Sequence, residues 1–169
     1  MPIDFHTIIK NMLDISTIDN NRYVAPWRQT RWLIGSSCFF LMPSTYGFIK
    51  GKYFLANVAL LTSACSINYW RNANYSWRRT TDLIMAKVTT VIYVFNGVKY
   101  ITKLPYVIYG YSGLFGLSYC YYMSYKHEDS ENWWKYHMMF HFIVSCVQTL
   151  TLKCIVNYEA SITNILSII

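Results

Sequence analysis

Charge is scarce in this chain of 169 residues: Asp, Glu, Lys and Arg supply 14% of it, with only 8 acidic side chains against 15 basic ones. The basic residues are spread over short loops and form no continuous stripe, which argues against a nucleic-acid partner. Cysteine offers no scaffold either. Cys38, Cys65, Cys120, Cys146 and Cys154 are scattered, odd in number and without a CxxC pair, so neither a complete disulfide frame nor a zinc knuckle fits them. They read as small buried hydrophobes. A Gly-rich phosphate loop, a nucleophile elbow and a dinucleotide fingerprint are all missing. The N-terminal segment lacks a basic region ahead of a continuous apolar core, and Asp14 and Asp19 interrupt it, so it does not read as a signal peptide.

What the chain does have is apolar sequence, 54% of it, gathered into blocks of membrane-crossing length. The blocks predict an all-α integral membrane bundle of five transmembrane helices near 32–49, 53–70, 83–98, 104–123 and 133–152, each close to the ~20 residues that cross a hydrocarbon core. Lys87 interrupts the third block, and a lysine near a helix end can snorkel to the headgroups. Mean hydropathy is low for such a protein, +0.19, because 16 tyrosines and many Ser, Thr and Asn lie in the chain. Such residues suit helix interfaces or a wet interior. The expected partition is an N-terminal amphipathic segment 1–31, a bundle 32–157 and a C-terminal tail 158–169.

Five spans divide the cations between two sides. Lys10, Arg22, Arg28, Arg31, Arg71, Arg78, Arg79 and Lys126 fall on the first side, and Lys50, Lys52, Lys99, Lys103 and Lys153 on the second. The excess on the first side predicts a cytoplasmic N-terminus. Tryptophan repeats the asymmetry, since Trp27, Trp32, Trp70, Trp77, Trp133 and Trp134 all lie at first-side ends. An interfacial belt explains them, and so does a roof over a site at that face.

Residues 1–21 carry Phe5, Ile8, Ile9 and Met12 at helical spacing behind Asp4 as an N-cap, the pattern of a surface helix that includes His6. The connections at 50–52 and 99–103 are too short for anything but antiparallel neighbours. In the fifth block, His137 and His141 stand one turn apart and continue through Ser145 and Gln148 as a polar stripe. In the third, Asp82 opens the expected helix, where a carboxylate caps well, and shares a face with Thr89, Tyr93 and Asn96. Ser63, Ser66, Tyr69 and Trp70 end the second block on the same membrane side. Ser66, Asp82, His137 and His141 can therefore lie at one depth, and ionisable groups at membrane depth are functional candidates by default.

Two explanations compete for this group. Zinc accepts imidazole nitrogen and carboxylate oxygen, so His137, His141 and Asp82 can be read as a ligand set whose bound water would attack an amide or ester of a lipid. Alternatively the histidines only hydrogen-bond to Asp82 and neighbouring helices, tying together a structural or assembly subunit that contacts other membrane proteins. His127, beside Glu128, Asp129 and Glu131, reads as solvent-exposed, and Lys87 as snorkelling rather than Schiff-base forming.

A serine near the end of one span, an aspartate opening the next and HxxxH in the last resemble the CREST superfamily of membrane hydrolases, which includes alkaline ceramidases and the progestin and adipoQ receptors. The matching residues are Ser66, Asp82, His137 and His141, within about residues 60–149. The resemblance implies a zinc-holding bundle, with Ser66 and Asp82 near the metal-bound water and Ser66 stabilising an oxyanion, that hydrolyses amide bonds in lipids. The family has seven helices and three histidine ligands. Here five spans are expected, and Tyr69 and Trp70 occupy the region where the remaining histidine belongs, which leaves two alternatives: the metal is lost and the architecture kept without the activity, or Asp82 is recruited as the third ligand.

Overall fold

The computed structural model describes residues 19–127 and 130–167. The surface helix expected before residue 19, with Asp4 and His6, lies outside the described residues, as do Glu128 and Asp129. Five helices run in series: α1 (Trp27–Ile49), α2 (Tyr53–Trp70), α3 (Trp77–Tyr100), α4 (Leu104–Lys126) and α5 (Trp133–Leu166). Among the described residues, α1 and α5 are the helices long and apolar enough to cross a membrane. In α4, tyrosine, serine and glycine dilute the apolar residues. A short antiparallel pair, β1 (Asp19–Tyr23) with β2 (Asn74–Tyr75), extends the first-side end, continued by a 2.8 Å bond from Val24 N–H to the Ala73 carbonyl. Residues 19–21, expected at the end of the surface helix, are thus strand.

Proline and glycine set the local geometry of α1. Pro43 has no N–H to donate to the carbonyl four residues back, Phe39, and the chain tightens into a 3-10 turn over Cys38–Phe40 just ahead of it. The helix ends in a Schellman motif. Gly51 takes φ +69°, Lys52 N–H reaches the Gly47 carbonyl at 2.8 Å and Gly51 N–H the Phe48 carbonyl at 3.2 Å. Gly47 then lets α1 and α2 touch, since a Cβ there would stand 2.9 Å from that of Ala56.

Two helix starts and one end depart from the apolar pattern. α3 begins at Trp77, so Asp82 sits in its second turn and does not cap it; the polar run Arg78–Thr81 extends the helix outward from the apolar block. α1 likewise starts at Trp27 through a polar first turn. α5 continues to Leu166, past the end of the apolar run, as an exposed extension.

α5 is the axis of the packing, touching α1, α3 and α4, while α2 touches α1 and α3. Its buried face is His141, Ser145, Gln148, Thr151, Leu152 and Ile155. Two apolar clusters close the ends of the interior. Leu33, Tyr69, Trp70 and Trp133 form one at the first side, and Leu55, Val58, Tyr93, Leu152 and Ile155 the other at the second. Serine, threonine and the histidines fill the space between them. Outside, Ile84, Val88, Val91, Phe95 and Val98 form an uncovered apolar ridge along α3, and Ile108, Tyr111 and Phe115 another along α4.

Candidate functional site

The 3-10 turn in α1 creates the acceptors on which the polar interior is built. Pro43 leaves the Phe39 carbonyl without its helical donor, and the Ser145 hydroxyl of α5 donates to it. The Leu41 N–H turns to the Cys38 carbonyl, and the Ser37 carbonyl is taken by the Ser63 hydroxyl of α2 at 3.0 Å. A local break in one helix thus becomes a tie to two others.

Ser36 and Ser37 organise the rest. Both hydroxyls lie within hydrogen-bond distance of the Leu33 carbonyl, at 3.0 and 2.7 Å. Ser37 Oγ also pairs with the Ser66 hydroxyl at 2.9 Å, and Ser36 Oγ with Nδ1 of His141 at 2.9 Å.

His141 is buried, 4% exposed, against Phe40 at 5.3 Å between ring centroids. His137 is half-buried one turn nearer the first side, its ring 4.8 Å from that of His141, 5.1 Å from Trp70 and 6.0 Å from Trp133. Trp133 donates its indole N–H to Gln29 Oε1 at 2.8 Å, whereas the Trp70 indole nitrogen, on a side chain 3% exposed, has no partner among the described residues.

Of the residues singled out in the sequence, His137, His141 and Ser66 share this interior, His141 and Ser66 meeting adjacent serines of α1. Asp82, in the second turn of α3, is half-buried within electrostatic reach of Tyr69 and Cys65 of α2, and the Arg79 side chain donates to the Tyr69 hydroxyl. Among the described residues no three His, Cys, Asp or Glu side chains converge to hold a metal, so Asp82 does not complete a ligand set with the two histidines here. Thr89 and Tyr93 do face inward, Thr89 paired with Thr62 at 2.7 Å and Tyr93 donating to the Leu55 carbonyl at 3.0 Å. Asn96 bonds to the Ile92 carbonyl of its own helix.

Ser36 and Ser37 are the residues that sequence reasoning passed over. Their signal is faint: two small hydroxyls after Gly35, six residues ahead of a proline within an apolar run. Comparison of the chain with protein-family models, curated proteins and solved structures finds no significant match.

Proposed function

We propose that the chain is a multi-pass membrane protein, crossing the bilayer five times with its N-terminus in the cytoplasm, and that it serves as a non-enzymatic structural or assembly subunit. The observation that carries this reading is a set of interior hydrogen bonds between helices: His141 on Ser36, Ser66 on Ser37, Ser63 on the Ser37 carbonyl and Ser145 on the Phe39 carbonyl. Each bond joins two helices. Hydroxyls spent in this way hold a bundle together where lipid offers no hydrophobic drive between helices. The apolar ridges of α3 and α4 suit lipid tails or another membrane protein, since a water-facing surface seldom shows so much contiguous apolar area.

Topology has a direct test. Asn74-Tyr75-Ser76 is a glycosylation sequon on the side proposed as cytoplasmic. It should stay unmodified on insertion into ER membranes, and a glycan at Asn74 would invert the arrangement. For the role itself, His137→Ala should lower bundle stability or complex yield by about 1 kcal/mol and leave lipid turnover untouched.

A second reading, a zinc-dependent hydrolase of lipid amide or ester bonds, draws on one feature. The paired imidazoles stand a turn apart, and the Nδ1 atom of His141 is engaged by Ser36, so that Nε2 is the nitrogen a metal would meet. Two imidazoles fall one short of the three protein ligands of a catalytic zinc site, so no hydrolytic step is derived from them. Metal analysis of the purified chain decides between the readings. Zinc that is bound, and lost in His137→Ala together with amide hydrolysis in a still-folded protein, would replace the structural role.

A further inference from the structure

The second-side end of the bundle carries a charge imbalance that the interior does not use. Lys50, Lys52, Lys99, Lys103 and Lys153 gather there, where α1 and α3 end, α2 and α4 begin and α5 passes. The acidic residue at that end is Glu159, and it is already paired with Lys52. Among the described residues neither Lys103 nor Lys153 has a carboxylate within ion-pair distance.

Lys103 lines a cleft at this end, and Lys153 stands next to it. The volume of the cleft is about 140 Å³, and Tyr100, Thr102, Lys103, Tyr106, Asn157 and Ser161 line it. Cys154 is the buried member of this lining, next in sequence to Lys153 on α5, and Lys103 reaches toward it from the N-cap of α4. Lys153 holds its ammonium 5.6 Å from the centre of the Tyr106 ring, at the rim. Lys103, the Thr102 hydroxyl, the Asn157 amide and a tyrosine wall thus line one small space, with the Lys153 ammonium beside it over the Tyr106 ring. The donor set matches a phosphate ester, whose oxygens accept from several neutral donors while its charge is met by lysine.

We propose that this cleft binds the headgroup phosphate of an anionic phospholipid. Its position at the helix ends is where headgroups lie and where tyrosine rings prefer to rest, and basic pockets between membrane helices recognise such headgroups. The inference rests on the multi-pass reading above, because a chain outside the bilayer would meet no ordered headgroup layer.

The test uses the full chain purified in mild detergent, with native mass spectrometry as the readout. The probes are dioctanoyl phosphatidic acid, dioctanoyl phosphatidylcholine and inorganic phosphate. Phosphatidic acid should be retained in preference to phosphatidylcholine, and the preference should fall about tenfold or more in Lys103→Gln. The control is Lys50→Gln, which removes the same charge at the same end but outside the cleft and should keep the preference. Equal loss in the two variants would reduce the effect to diffuse charge and overturn the site. Equal retention of phosphatidylcholine, or displacement of the lipid by equimolar inorganic phosphate, would also overturn the lipid assignment, as would a stronger displacement by polyglutamate, which would make this end a protein-binding face. Alkaline carbonate extraction of the same variants keeps the two readings apart. A chain released from membranes defeats the multi-pass reading, whereas a chain that stays embedded without phosphatidic acid preference defeats the headgroup site alone.

Discussion

α5 is held on its two flanks by different means. Toward α1 it makes side-chain hydrogen bonds, His141 to Ser36 and Ser145 to the Phe39 carbonyl, around a helix already broken to offer those acceptors. Toward α4 it relies on close approach: a Cβ on Gly113 would collide with Val147, and one on Gly116 would stand 3.3 Å from Ile143. The polar flank fixes which groups must meet and so specifies a register. The glycine flank requires only that nothing be added, and α4 packs on no other helix to a comparable extent.

Adding bulk on the glycine flank should therefore have the largest effect. Gly113→Val forces α4 away from Val147, and overpacking of this kind costs about 1–3 kcal/mol; with α4 held mainly by α5, about 3 is expected. Unfolding in mixed micelles, with a reporter on α4, measures it. A variant as stable as the parent would show that α4 does not approach α5 this closely. On the polar flank, His141→Ala removes a bond and its packing on Phe40, and about 2 kcal/mol is expected. Ser37→Ala follows at about 1 kcal/mol, because the Ser66 hydroxyl loses its partner while the Ser37 backbone carbonyl still receives Ser63. If Ser37→Ala proved costlier than Gly113→Val, the comparison between the flanks would be reversed.

The two flanks also differ in how plainly the sequence announces them. α2 spans 53–70 as its apolar block predicts, bounded by Gly51 and by the polar run after Trp70. The polar stripe of α5 was legible too, because His137, His141, Ser145 and Gln148 repeat at helical spacing inside an apolar run, and His141, Ser145 and Gln148 are buried. Their partners were not. Ser36 and Ser37 matter only because the turn ahead of Pro43 rearranges carbonyls, a consequence of backbone geometry that residue type does not reveal. Asp82 was misplaced for a different reason: hydropathy marks where a helix is apolar, and α3 continues one and a half turns beyond that point through Trp77–Thr81. The β1–β2 pair joins segments 50 residues apart with two residues of strand on one side, too little for any periodicity to register.

The smallest expected effect separates the two tryptophans beneath the first-side end. Trp70 and Trp133 lie 6.0 Å apart between ring centroids, both buried and both against His137. Replacing either by Phe removes comparable ring area, so the packing loss is shared. The polar terms are not. Trp133→Phe leaves Gln29 Oε1 without its donor, whereas Trp70→Phe removes an indole N–H that has no acceptor among the described residues and costs about 1–3 kcal/mol to keep buried. Trp133→Phe should therefore destabilise by about 2 kcal/mol, while Trp70→Phe should come out near zero, the recovered desolvation offsetting the lost area. The informative quantity is the difference between the variants, about 1–2 kcal/mol, because errors in the shared packing term cancel. Equal costs would mean that the Trp70 N–H is bonded in the working protein, and the His137 ring, edge-on at 5.1 Å between centroids, carries a nitrogen that can accept from it. That outcome would order the first-side end as a polar chain from Trp70 through the histidine pair to Ser36, with His137 fixed in position by α2 as His141 is by α1.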